Sequence, residues 1–197
     1  MNIYTRCVRG ITLIAAFTAA DVPAHAQKSW RAVLTGSQEI PANASPASGV
    51  VELFLAGNML TVEESWSGLI GGPAAAAHIH CCVTPGSNVG VAVPFTGFPS
   101  AISGTYSRIF DLSSSSVYTS AFITTFGGGT VAGAESALIA GLDAGNAYAN
   151  IHDAVFPGGE IRGDLVAVAT PEPSSVLLLA SGLVAFASVG WARRRTA

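Results

Sequence analysis

The chain has 197 residues, 50% of them hydrophobic and 11% charged, with a net charge of −3 and a mean hydropathy of +0.49. That is too apolar for a disordered protein, while 22 Gly and 10 Pro break it too often for a multi-span membrane protein. Between residues 27 and 170, four basic residues (Lys28, Arg31, Arg108 and Arg162) stand against ten acidic ones, a balance of −6. No basic face is left to neutralise phosphates, so nucleic acid is not a partner.

Residues 1–26 read as a secretory signal peptide. Arg6 and Arg9 form a positive start, Ile11 to Ala20 is an apolar run too short to span a bilayer, and Ala24-His25-Ala26 places small residues for signal peptidase to cut between Ala26 and Gln27. Residues 27–169 then form one domain. Its short, alternating segments are punctuated by Gly, Pro, Asn and Ser, which predicts an all-β fold, an antiparallel sandwich or Greek-key barrel with one short helix. Gly49 to Ala56 and Met59 to Trp66 are strands joined by a tight turn at Gly57-Asn58. Further strands are expected at Ala74 to His80, Gly90 to Phe95, Gly104 to Asp111, Val117 to Phe126, Ala147 to His152 and Glu160 to Val168, with the helix at Ala134 to Leu142.

The last segment, residues 170–197, carries an apolar stretch from Val176 to Ala192. At about 1.5 Å per residue this is just long enough for a transmembrane helix. Arg193, Arg194 and Arg195 follow and would hold that end in the cytoplasm. Before it, Pro171 and Pro173 flank Glu172 and keep that stretch extended for a processing enzyme. Pro-Glu-Pro, an apolar helix and a terminal arginine cluster together resemble the PEP-CTERM sorting signal of Gram-negative bacteria. The resemblance implies passage through the inner membrane, processing by an exosortase, and delivery to the cell surface or an exopolysaccharide matrix.

Four motifs inside the domain occur in order: Gly36-Ser37-Gln38-Glu39-Ile40-Pro41, Ala77-His78-Ile79-His80, Tyr148-Ala149-Asn150-Ile151-His152, and Gly158-Gly159-Glu160-Ile161-Arg162-Gly163. As a set, from residue 30 to about 168, they resemble the CHRD domain named from chordin. Gln38, Glu39, Pro41, Asn150, Gly159, Glu160, Arg162 and Gly163 are the motif residues beside the histidines. The resemblance implies a secreted β domain without a catalytic activity to carry over, so the chain is read as a non-enzymatic binding protein of matrix components. In place of the glycine usual after the paired histidines it has Cys81-Cys82.

Chemistry concentrates on the histidines. Residues i and i+2 of a strand share a face, so His78 and His80 point together and Ile79 points away. If the strand ending at His152 lies alongside, three imidazoles meet, a donor set suited to copper or zinc, whose affinity would fall as pH drops through about 6.5. The same histidines could instead anchor turns through loop carbonyls. The order of a paired-histidine strand, a distant His, a Gly-Gly loop and an Arg strand is loosely similar to Cu/Zn superoxide dismutase, but the fuller zinc-ligand set of that enzyme is missing. Cys81 and Cys82 are expected to be buried or bridged to each other, with thiolate ligands beside His80 or intermolecular bridges as alternatives. Glu160, Arg162 and Asp164 share one face and read as an ion-pair ladder rather than a catalytic pair, and Glu63-Glu64 as a solvated strand end. Ser113 to Ser116 lacks the Gly-x-Ser-x-Gly of a nucleophile elbow, and Gly127 to Gly129 lacks the Lys of a phosphate loop.

Overall fold

Alternation of buried and more exposed side chains runs along residues 28–35, 48–56 and 59–67, while residues 147–151 are buried without a break. The computed structural model describes residues 28–169 and 181–182. The expected signal peptide with Ala26 and Gln27, the Pro171-Glu172-Pro173 motif and nearly all of residues 176–192 lie outside the described residues. No described helix is long and apolar enough to cross a membrane.

The strands are β1 (Lys28–Thr35), β2 (Ser48–Ala56), β3 (Met59–Ser67), β4 (Ala76–Cys81), β5 (Val91–Pro94), β6 (Gly104–Asp111), β7 (Ala147–His152), β8 (Ile161–Asp164) and β9 (Val166–Val168). Two helices, α1 (Ser120–Thr125) and α2 (Val131–Asp143), separate β6 from β7. The strands form one antiparallel sheet in the order β5-β4-β7-β8-β1-β2-β3-β6, with β9 also pairing to β1. The sheet curls until its two ends face each other. Phe95, next after β5, stacks on Tyr106 of β6 with ring centroids 5.5 Å apart, and Phe98 stacks on Trp66 of β3 at 4.5 Å. The result is a half-barrel around one core that includes Leu34, Leu53, Leu60, Val62, Ile79, Ile151 and Ile161. Each such side chain contributes about 1.5–3 kcal/mol by leaving water.

The β2–β3 hairpin forms where expected, with Ala56 paired to Met59. Gly57 alone takes positive φ, at 58°, the left-handed region that favours glycine. The expected helix is contained in α2, which starts three residues earlier because the Thr130 side chain accepts a hydrogen bond from the Gly133 N–H. Ala134, Leu138 and Leu142 turn its apolar side to the core.

Val117 to Phe126 is not a strand. After a 3-10 turn at Ser115–Val117, the Thr119 side chain caps the Phe122 N–H and starts α1. Tyr118, Phe122 and Phe126 then stack in series at 5.9 and 5.4 Å, a spacing of four residues that fits a helix. The last expected strand is broken at Leu165, whose N–H turns to the Ala147 carbonyl and splits it into β8 and β9.

Glu63 and Glu64 also depart from expectation. Leu60, Val62, Glu64 and Trp66 all face inward along β3, so Glu64 is buried and its two oxygens have no hydrogen-bond partner. Burial raises its pKa to about 8. Glu63 alone is solvated.

Candidate metal centre

β4 lies between β5 and β7, and β8 follows β7. Registration sets His78 opposite Asn150, Ala76 opposite His152, His80 opposite Tyr148, and Asn150 opposite Arg162. The pleat turns Ala77, Ile79 and Cys81 into the core. His78, His80, Tyr148, Asn150, His152 and Arg162 therefore share the other face. Side chains or carbonyls of Glu39, Val89 and Pro157 close over that face from the loops.

The three expected histidines meet here. His78 and His152 have ring centroids 5.0 Å apart, His78 and His80 5.6 Å, and His80 and His152 6.3 Å. One nitrogen from each can be chosen so that all lie within 4.8 Å of one another. His80 Nδ1 is 2.7 Å from the Val89 carbonyl oxygen, and His152 Nδ1 is 3.0 Å from that of Pro157. A carbonyl only accepts, so Nδ1 carries the proton in both rings and Nε2 presents a lone pair. Both Nε2 atoms face Asn150 Oδ1 at 3.0 Å. His78 Nδ1 is buried without a hydrogen-bond partner. Burial lowers all three pKa values, that of His78 to about 4 with help from the charges of His152 and His80. The cluster is neutral at ordinary pH, the state in which imidazole binds metal.

The CHRD domain family matches residues 30–165 of the chain, and the PEP-CTERM protein-sorting motif matches residues 169–195. The chain belongs to the CHRD family. No curated protein and no solved structure matches it significantly. The sorting motif implies export to the cell surface of a Gram-negative bacterium and processing by an exosortase.

The motif residues of this CHRD domain surround the histidines. The Arg162 guanidinium lies 3.4 Å from the Tyr148 ring, whose other face stacks on His80 at 4.5 Å and 4°. Arg162 also donates to Asn88 Oδ1 and to the Ser87 carbonyl, at 2.8 and 2.9 Å. It thereby holds the loop whose Val89 carbonyl fixes His80. Beside Asn150 lies Glu39, whose pKa burial raises to about 7 against the lowering pull of Arg162. Gly159, at φ 127°, has no room for a Cβ, which would meet Glu39 Oε1 and Asn150 Nδ2. Gln38 donates to the Val33 carbonyl at 2.8 Å, Ile40-Pro41 is a cis peptide, and Gly163 packs against the Val33 carbonyl without space for a side chain.

Of two expectations about neighbouring residues, the acidic ladder changes and the bridge between the adjacent cysteines holds. Glu160 is no rung of an ion-pair ladder. Fully buried, it accepts from Ser45 Oγ at 2.5 Å, Ile70 N at 2.8 Å and Gly71 N at 3.2 Å, and ties three loop segments together. Arg162 and Asp164 do pair, at 3.5 Å. Cys81 and Cys82 are bridged to each other, and the Cys82 sulfur lies 3.3 Å from the Ala137 carbonyl oxygen on α2. Their sulfurs pack against Gly141, beneath the sheet, so they are not ligands beside His80. The Tyr148 and Asn88 contributions were missed in the sequence because they act through stacking and a loop carbonyl, which leave no spacing pattern.

Proposed function

We propose that this is an exported, exosortase-sorted protein of the cell surface or exopolysaccharide matrix whose CHRD domain binds rather than catalyses, and that it binds a copper or zinc ion through His78, His80 and His152. The observation that carries this reading is the convergence of three neutral imidazoles within 4.8 Å, two of them with Nδ1 on a backbone carbonyl. That carbonyl contact is the usual support of a metal-bound histidine, because it fixes the tautomer and aims the other nitrogen. Closing such a set to about 2.0–2.1 Å from one ion asks for shifts of about 1 Å in each ring. A role as turn anchors accounts for the Nδ1 contacts but leaves the His78 nitrogen buried without purpose. A non-enzymatic role is supported by two of the acids nearby: Glu160 is consumed in three hydrogen bonds and Asp164 is paired with Arg162.

The test is elemental analysis of the exported protein purified from its cells, beside His78→Ala, His80→Ala and His152→Ala variants. The reading expects close to one copper or zinc per wild-type chain and loss in each variant. A wild-type protein that binds neither ion tighter than about millimolar overturns it.

A further inference from the structure

Asn150 occupies a position that the three histidines alone do not explain. Its side chain is 2% exposed and stands in the middle of the cluster. Oδ1 lies 3.0 Å from Nε2 of His80 and 3.0 Å from Nε2 of His152. Both of those nitrogens present lone pairs, since their Nδ1 protons go to the Val89 and Pro157 carbonyls. An amide oxygen has only lone pairs to offer in return. Three acceptors thus converge with no proton between them, an arrangement that a cation resolves with the amide oriented as it stands. The spacing fits as well. Two donors about 2.0–2.1 Å from one ion, subtending 90–109°, stand about 3 Å apart.

The other end of the amide explains its orientation. Glu39 Oε1 and Asn150 Nδ2 both crowd Gly159, so the amide nitrogen lies on the Glu39 side of the cluster. With Nδ2 turned toward Glu39, Oδ1 is aimed at the histidines.

We infer that Asn150 Oδ1 is the fourth donor to the metal, completing a set of three imidazole nitrogens and one amide oxygen, with Glu39 as the residue that positions it. The inference rests on the three-histidine reading above. A mixed nitrogen and oxygen set suits Cu(II) and Zn(II).

The experiment titrates the purified exported protein with copper and follows both affinity and the Cu(II) electron paramagnetic resonance spectrum, for wild type, Asn150→Asp and Asn150→Ala. Asp keeps an oxygen at the same reach and adds charge, so it should bind copper about tenfold tighter and change the spectrum. Ala should bind about tenfold weaker while keeping the imidazole nitrogen hyperfine pattern. If Ala does not fold, the near-isosteric Asp variant carries the test alone. A reversed amide, donating Nδ2 to the two histidines, predicts that Asp gains no affinity and leaves the spectrum unchanged. That result overturns the role of Asn150 while the three-histidine site stands. Absence of copper binding in wild type overturns both.

Discussion

Tyr148 lies flat against His80, the two rings 4.5 Å apart and 4° from parallel. With the Arg162 guanidinium on its far face, the phenol is held on both sides and can in turn hold the imidazole. Its hydroxyl also reaches the Val89 carbonyl at 3.3 Å, the group that fixes the His80 tautomer. Tyr148→Leu keeps every proposed ligand but removes this support. Metal affinity should fall about 10- to 100-fold with stoichiometry unchanged, measured by calorimetric titration. Wild-type affinity in that variant would mean that the stack does not position His80.

Protonation of the histidines gives a second expectation. The fold lowers the pKa of all three below the ordinary 6.5, with His78 at about 4. A group neutral in the fold and protonated when unfolded makes the unfolded state bind more protons. The stabilising contribution is therefore complete above pH 6.5 and is lost as pH falls from there toward 4. Metal binding should likewise persist below pH 6.5 rather than fail there, as the free imidazole value alone would suggest. Thermal melts of metal-free protein between pH 7 and 4, with His78→Gln as comparison, check the sign. A wild-type midpoint that does not fall with acidification relative to His78→Gln would contradict it.

Glu64 acts in the opposite direction. Its pKa is raised to about 8, so between pH 4.5 and 8 the folded state holds a proton that the unfolded state releases. Stability from this residue is present below pH 4.5 and is lost as pH rises toward 8. Glu64→Gln removes the ionisation and should stabilise the domain at pH 8 by an amount on the order of a few kcal/mol, with little gain at pH 4.5. Chemical denaturation at the two pH values measures it, and an equal effect at both would show that Glu64 does not titrate in the fold.

Sorting predicts the ends of the mature protein. Intact mass of the surface-exposed form should correspond to a chain beginning at Gln27 and ending near Pro173. Recovery of chains that end at Ala197 from the surface of wild-type cells would contradict processing.

Much of this architecture was legible because β-sheet chemistry is local. The two-residue period placed His78 and His80 on one face and Ile79 in the core, and Gly57-Asn58 marked the hairpin. The β1 strand escaped notice although Trp30, Ala32 and Leu34 alternate inward along it. The α1 segment misled because its Thr, Ile and Phe content favours strands, while the Thr119 cap and the Tyr118–Phe122–Phe126 spacing decide for helix. Glu64 was misread because a carboxylate at an inward position breaks the rule that the period otherwise obeys. At the site, the three histidines were readable from spacing and from order along the chain. The nearness of His152 to His78 was not, since it depends on β7 pairing with β4 across some 70 residues of sequence. The Arg162–Tyr148–His80 column depends in the same way on β8 lying beside β7.

The most direct measurement is a crystal structure of the exported protein grown with copper or zinc, with anomalous data collected across the metal's absorption edge. The account predicts one strong anomalous peak about 2.0–2.1 Å from nitrogens of His78, His80 and His152. Well-ordered imidazoles with no peak between them, at metal concentrations well above micromolar, would contradict it.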